Sequence, residues 1–166
     1  MILKPLSRED ILRVLEWRHL IPETLRTPFM LNENQQLDYY EKVLSNRCSS
    51  TKYLGFWINT KFIGSGGIEN IINEYRIGEL SLIVNPDFRG KGYGRKCVRL
   101  IIDQAFNYLN LENIWLECYK CANYQFWEKI LNELKDEYNI YTTWLPNRKY
   151  FAGKYYDSLY GNIEKR

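Results

Sequence analysis

A chain of 166 residues, 45% hydrophobic and 26% charged, is long enough to bury a core without disulfide or metal staples and has the size of one domain, residues 1–166. Its net charge of +3 is spread along the sequence, which argues against a general nucleic-acid binder. No segment approaches the roughly 18 apolar residues of a membrane span, and MILKPLSRED lacks a signal core, so a cytoplasmic protein without a membrane partner is expected.

MILKPL reads as a short opening strand. Ser7, with Asp10 three residues on, caps a helix carrying Ile11, Leu12, Val14 and Leu15. A second helix follows Asn32, with Leu37, Tyr40, Val43 and Leu44 on one face. TKYLGFWIN and KFIGSGGIENI are β-rich runs joined by a tight Asn59-Thr60 turn, which makes a hairpin, and YRIGELSLIV adds a third adjacent strand. After NPDFRGKGYGRK, a helix is marked by Val98, Leu100, Ile101, Ile102, Ala105, Phe106 and Leu109. NIWLECY is the next strand, and ANYQFWEKILNELKDEY is a helix with Phe126, Trp127, Ile130, Leu131 and Leu134 at helical spacing. Two strands close the chain, YNIYTTWL and KYFAGKYYDSLYGNI. The order β-α-α-β-β-β-α-β-α-β-β combines a hairpin meander with a βαβ crossover: an α+β class, with a mixed sheet of about seven strands flanked by helices.

Four cysteines in such a chain read as reduced thiols. Cys118-Tyr119-Lys120-Cys121 is a lone CxxC, and His19 is the single histidine, so no metal site is expected. Aromatic residues reach 16%, an excess suited to clefts and interfaces, and the aromatic strands near the end could pair two subunits.

The informative turn is Arg89-Gly90-Lys91-Gly92-Tyr93-Gly94. It is not a Walker loop, which needs GxxxxGK followed by Ser or Thr. Nor is it a dinucleotide fingerprint, since its spacing is GxGxG and three antiparallel-looking strands precede it. Glycines that let backbone N–H groups approach a ligand, a helix N-terminus behind them, and Arg89, Lys91, Arg95 and Lys96 around them together suit a pyrophosphate. A plain strand-to-helix turn with solvated cations on its rim is the competing reading.

These residues resemble the acyl-CoA signature Arg/Gln-x-x-Gly-x-Gly/Ala of the GNAT superfamily of N-acyltransferases. VLEWRHL, QLDYYEKV and GKYYDSLY resemble the RimJ/RimL-like branch, so the likeness spans nearly the whole chain. It implies a GNAT-like, mostly antiparallel sheet and acetyl-CoA as acyl donor. It also implies direct attack by a primary amine of a small molecule, an amino sugar among them, or of a peptide or protein. The backbone of Ile83 and Val84 would pair with the pantetheine arm. Arg89, Gly90, Lys91, Gly92, Tyr93, Gly94 and Arg95 would hold the pyrophosphate, with Asn123 also counted among the cofactor residues. Direct attack suits a chain without a His-supported Ser or Cys nucleophile.

An ammonium acceptor must lose a proton, and Glu79, on the strand entering the turn, is the candidate base, with Glu69 the second choice; a solvent-facing carboxylate is the alternative for Glu79. Members of the family commonly place a Tyr acid where NYQFWEKI has Trp127, so Tyr124, one turn earlier, is the candidate acid, or the thiolate leaves unaided. Trp17, Arg18, Arg26 and Tyr40, with Phe29 and Tyr39 nearby, are candidates for the acceptor pocket. Arg18 and Arg26 are expected to bind an anionic part of the acceptor. The alternative function is a non-catalytic acyl-CoA-binding or partner-binding module, which the missing Tyr at 127 favours.

Overall fold

The computed structural model describes residues 1–166. The chain runs β1 (Ile2–Lys4), α1 (Arg8–His19), α2 (Glu33–Tyr39), β2 (Lys52–Ile58), β3 (Lys61–Ile72), β4 (Ile77–Val84), α3 (Tyr93–Asp103), β5 (Asn113–Tyr119), α4 (Tyr124–Leu134), β6 (Asn139–Phe151) and β7 (Lys154–Glu164). This is the expected element order. The strands form one sheet in the order β1-β2-β3-β4-β5-β7-β6, antiparallel throughout except for β4 against β5. No helix is long and apolar enough to cross a membrane.

Local chemistry sets the boundaries. Ser7 and Asp10 exchange side-chain and backbone hydrogen bonds at the start of α1, and Asn32 and Gln35 do the same for α2, so each helix start has two of its free N–H groups satisfied. Asn59 takes a left-handed φ of 54° in the two-residue β2–β3 turn, a conformation Asn tolerates better than most residues.

One boundary differs from the sequence reading. A break was expected between Leu145 and Lys149, yet β6 continues through Pro146 to Phe151, and the chain reverses at Ala152-Gly153. β6 lies at the sheet edge, where a missing N–H on the outer side costs no ladder bond. The register shift between Leu145 and Lys149 absorbs the remaining distortion as a bulge.

Strand alternation gives the sheet two unlike faces. One carries Ile68, Leu80, Ile114, Leu116, Leu159 and Ile163, which pack with Val98, Ile101 and Ile102 of α3 and with Ile130, Leu131 and Leu134 of α4. The other meets Ile11, Val14 and Trp17 of α1 in a smaller apolar cluster. It also presents Ser65, Glu69, Glu79, Ser81 and Glu117, whose positions follow from the register Ser65–Ile83, Gly67–Ser81, Glu69–Glu79 and Glu79–Trp115. Glu79 is only 4% exposed, which removes the solvent-facing alternative for this residue.

The α4–β7 contact can be tested by coupled substitutions. A Cβ added at Gly161 would lie 2.6 Å from Leu131 Cδ1. Gly161→Ala alone is expected to cost about 1–3 kcal/mol through overpacking and Leu131→Ala alone about 2–5 kcal/mol through a cavity. The double variant should lose clearly less than the sum in urea unfolding.

Candidate active site

The site begins where β4 and β5 part. Their parallel pairing covers Ile77–Asn113, Gly78–Ile114 and Glu79–Trp115 and then stops, although β4 stays paired with β3 to Val84 and β5 with β7 to Tyr119. Ladder parity shows which backbone groups face the gap. Asn85 N–H donates to the Ile63 carbonyl, so Ile83 and Ser81 turn their amides to β3, while Leu82 and Val84 turn theirs to the gap. Across it, Lys120 N–H donates to the Asp157 carbonyl, which leaves Glu117 and Tyr119 facing β4. An extended amide chain laid in the fork could hydrogen-bond to these groups as an added strand does at a sheet edge. Ile83, expected as a backbone partner, turns its amide to β3, and Leu82 and Val84 are the residues of β4 that face the gap.

At the open end of the fork lies the glycine turn. Gly90 and Gly92 have φ of 71° and 79°, and Gly92 caps α3 without any side-chain hydrogen bond. The first-turn N–H groups, Tyr93 to Arg95, therefore have no intrahelical acceptor and lie at the positive end of the helix dipole. Added Cβ atoms at Gly90 and Gly92 would meet nothing within 4 Å, whereas one at Gly94 would come within 3.0 Å of the Phe126 ring. Gly94 thus lets α3 and α4 approach, and Gly90 and Gly92 keep an open cradle. Arg89 Nε donates to the Val84 carbonyl at 3.3 Å, and burial lowers its pKa. Arg95 pairs with Glu133 at 2.9 Å, and Lys91 Nζ donates to the Asp87 carbonyl at 2.9 Å. Tyr93 packs on Phe88 with ring centroids 6.0 Å apart. The cradle fits a diphosphate through main-chain donors, with Arg89 and Arg95 lining the cleft and Lys91 and Tyr93 outside its wall.

Cradle and fork open into a cleft of about 1070 Å³ that continues onto the polar face of the sheet, lined there by Arg18, Arg26, Tyr39, Tyr53, Glu69 and Glu79. Arg26 reaches from the loop after α1 and grips Glu79 with both terminal nitrogens, Nη1 to Oε2 at 3.1 Å and Nη2 to Oε1. Asn70 Nδ2 adds a third donor to Glu79 Oε2 at 2.8 Å. Burial lowers the Arg26 pKa, but the hydrogen bond and charge of Glu79 outweigh it and leave it raised. Nη2 also lies 3.8 Å from Glu117 Oε2, and the guanidinium carbon lies 5.7 Å from the Trp115 ring centre. Glu117 Oε1 accepts from Ser158 Oγ at 2.6 Å and from Arg148 Nε at 3.4 Å.

Deeper in, burial raises the pKa of Tyr53 well above its ordinary value and pushes Tyr39 up to about 12, Glu69 adding to both shifts. The pKa of Glu69 is itself raised by burial, against an opposing hydrogen bond from Tyr53. Arg18 feels Tyr39, Tyr53 and Glu69 while burial lowers its pKa. Arg26 is committed to Glu79, whereas Arg18 lines the cleft near Tyr39, Tyr53 and Glu69 without forming an ion pair.

Other predicted residues lie elsewhere. Trp17 is buried against Phe62, ring centroids 5.0 Å apart. Tyr40 donates to the Leu6 carbonyl at 3.2 Å and packs with the same cluster. Both support the cleft from behind without lining it. Tyr124 stands edge-on to Trp144, centroids 5.5 Å apart, and does not line the cleft. Asn123, at the N-terminus of α4, lines it, as does buried Trp127. Besides Tyr39 and Tyr53, a third phenol lines it at the end of β5: Tyr119, raised in pKa by burial. Lys149 Nζ sits 4.2 Å from the centre of its ring and donates to the Leu25 carbonyl, which ties the Arg26 loop to β6. Sequence reading missed Asn70, Glu117 and Tyr119. For Glu117 and Tyr119 the alternation Trp115-Glu117-Tyr119 against Ile114-Leu116-Cys118 was a usable signal.

The shift of Glu69 has a measurable sign. A folded-state pKa above the ordinary 4.5 means that the folded chain holds this proton more tightly than the unfolded one. Its stabilising contribution is present below the unfolded pKa and lost as pH rises through the folded value. Glu69→Gln should therefore gain in melting temperature relative to the native chain between about pH 4 and about pH 7. The opposite trend would mean that Arg18 and Arg26 favour the carboxylate over the acid.

The profile of the family described as Acetyltransferase (GNAT) domain matches residues 1–121, from β1 through the fork and cradle to the end of β5. Comparison with curated proteins finds no match. Among solved structures, a chimera of the Vibrio cholerae spermidine N-acetyltransferase SpeG with hSSAT superimposes with a TM-score of 0.83 at 18% identity, covering 99% of this chain and 96% of that one. A mutant form of the spermidine/spermine N-acetyltransferase SpeG from Vibrio cholerae gives 0.82 at 19%, covering 98% and 92%. A dodecameric structure of the Vibrio cholerae spermidine N-acetyltransferase gives 0.81 at 18%, with the same coverage. At these identities the structural likeness speaks to the fold, and the family profile speaks to descent. With the forked β4–β5 pair and the glycine cradle in the matched region, the chain belongs to the GNAT family of N-acetyltransferases.

Proposed function

We propose that the protein transfers the acetyl group of acetyl-CoA to a primary amine of a small cationic molecule of the polyamine kind. The observation that carries this reading is the charge of the acceptor half of the cleft. Glu69, Glu79 and Glu117 converge there; Arg26 is already engaged with Glu79 and reaches Glu117, and Arg18 lies near Glu69. An amino sugar or peptide acceptor that brings an anionic group would meet these three carboxylates there, against the single unpaired guanidinium of Arg18. The neighbouring structures described as spermidine N-acetyltransferases support the same class. The Trp17-Arg18 element, the Gln36–Val43 segment and Gly153-x-x-x-Asp157 support a RimJ/RimL-like placement and, with it, a cytoplasmic setting. Self-association would use the exposed aromatic edge of Tyr141, Trp144, Tyr150 and Tyr155.

Acetyl-CoA would supply an activated thioester carbonyl. The amides of Leu82, Val84 and Glu117 would position its pantetheine arm, and the turn from Arg89 to Arg95 its diphosphate. Glu79 stands at the branch of the fork, where it would take the ammonium proton directly or through one water, leaving the amine lone pair free to attack. Tyr119, beside the fork on β5, would return a proton to the departing sulfur: Trp127 has no comparable acid, Tyr124 faces Trp144, and Tyr39 and Tyr53 lie deeper, beside Glu69.

Acetyl-CoA at about 100 times its Kd should raise the melting temperature by about 5–10 °C, and the double variant Gly92→Glu, Gly94→Glu should lose most of that shift. Thiol release should be steady with spermidine, weaker with glucosamine 6-phosphate, and reduced by added salt through the acceptor KM. An acyl-CoA-binding module without activity is the second reading, favoured by Trp127; a thermal shift without thiol release from any amine would establish it.

A further inference from the structure

We propose that Arg26 is an internal competitor of the acceptor. Its guanidinium occupies the seat between Glu79 and Glu117 that an acceptor ammonium takes, so Arg26 decides which amines the site admits. The inference deepens the reading of the acceptor as a cationic amine and rests on it.

The seat is built for a cation whatever fills it. The side chains of Glu79 and Glu117 are 6% and 9% exposed, and two carboxylates so far from water are costly to leave unpaired. The Trp115 ring closes one side of the seat. Asn70 and Ser158, which donate to the two carboxylates, belong to the sheet and stay in place when the cation changes.

Arg26 is the movable part. Its side chain is 50% exposed, and it stands in a stretch without helix or strand between Thr24 and Glu33. That stretch is fixed before Arg26 by Lys149 at the Leu25 carbonyl and after it by His19 Nε2 at 3.0 Å from the Leu31 oxygen. Between the anchors, Arg26, Thr27, Phe29 and Met30 are exposed. The arm can swing outward without disturbing a ladder or a helix.

Its fit is also uneven. The planar fork serves both oxygens of Glu79 and reaches Glu117 only at 3.8 Å. An ammonium carries three donors around one point and can bridge both carboxylates at hydrogen-bond distance. Exchange replaces one cation by another, so the buried carboxylates need not pass through an unpaired state. A monoamine must displace Arg26 with a single charge, whereas a polyamine brings further charges to the same acidic face.

The test uses the full chain, acetyl-CoA and n-butylamine, a probe with one ammonium. Arg26→Gln should lower the KM for n-butylamine at least about fivefold, as expected when a charge-assisted competitor is removed, and leave the KM for acetyl-CoA within about twofold. Adding Glu117→Gln to Arg26→Gln should abolish the gain. An unchanged or raised n-butylamine KM in Arg26→Gln would overturn the proposal and make the Arg26 bridge a fixed support of Glu79. If melting shows that Arg26→Gln does not fold, Arg26→Lys decides: its ammonium can bridge both carboxylates and is the better-fitting competitor, so the n-butylamine KM should rise above that of the native chain, and no rise overturns the proposal. Calorimetric binding of n-butylammonium without acetyl-CoA separates this from the broader reading. Tighter binding by the variant in an enzyme that releases no thiol would support the competitor and sink the acetyl transfer; equal binding in an active enzyme would do the reverse.

Discussion

Three residue pairs of parallel ladder, ending at Glu79 and Trp115, govern the rest of the architecture. β4 is held by β3 and β5 by β7 beyond that point, so neither strand can follow the other, and the gap between them exposes main-chain donors and acceptors inside the molecule. Backbone groups away from water need partners. A fold that leaves a row of them facing a cleft is suited to a ligand with amides of its own. The crossover through α3 then places a helix N-terminus, bare of side-chain caps, at the mouth of the same gap. Amide pairing and anion binding are thus aligned by one topological feature.

The fork also joins the two faces of the sheet. On one, Leu80, Leu116 and Ile114 seal against α3 and α4, which keeps the strands rigid where they separate. On the other, Glu79, Glu117 and Glu69 collect beneath α1 and the loop that follows it. Cross-strand Glu69 and Glu79 are like charges in direct register, an arrangement that destabilises a sheet unless cations or protons relieve it. Arg26 relieves Glu79, and a raised pKa relieves Glu69. The polar face therefore holds electrostatic tension that the proposed cationic acceptor would share.

The fold was legible because its signals are local. Capping at Ser7 and Asn32, the Asn59-Thr60 turn and the glycine spacing from Arg89 to Gly94 all act within a few residues. What stayed hidden depends on distance along the chain: Arg26 meets Glu79 across 53 positions and Lys149 meets Leu25 across 124, and no short window carries such pairings. Arg26 looked like a free cation because its partner was invisible. Tyr124 looked close to the cleft because helix position alone does not reveal that Trp144 stands against it. The choice of Ile83 over Leu82 turned on ladder parity, which hydrophobic alternation cannot show since both residues are apolar. Pro146 suggested a break until β6 proved to be an edge strand.

Amide hydrogen exchange, followed residue by residue with and without acetyl-CoA, addresses the fork most directly. The account predicts that the amides of Leu82, Val84 and Tyr93 to Arg95 exchange faster alone than Ser81 and Ile83, which are bonded to β3, and slow strongly when acetyl-CoA is added. Unchanged exchange at Leu82 and Val84, with protection appearing away from the β4–β5 gap, would contradict it.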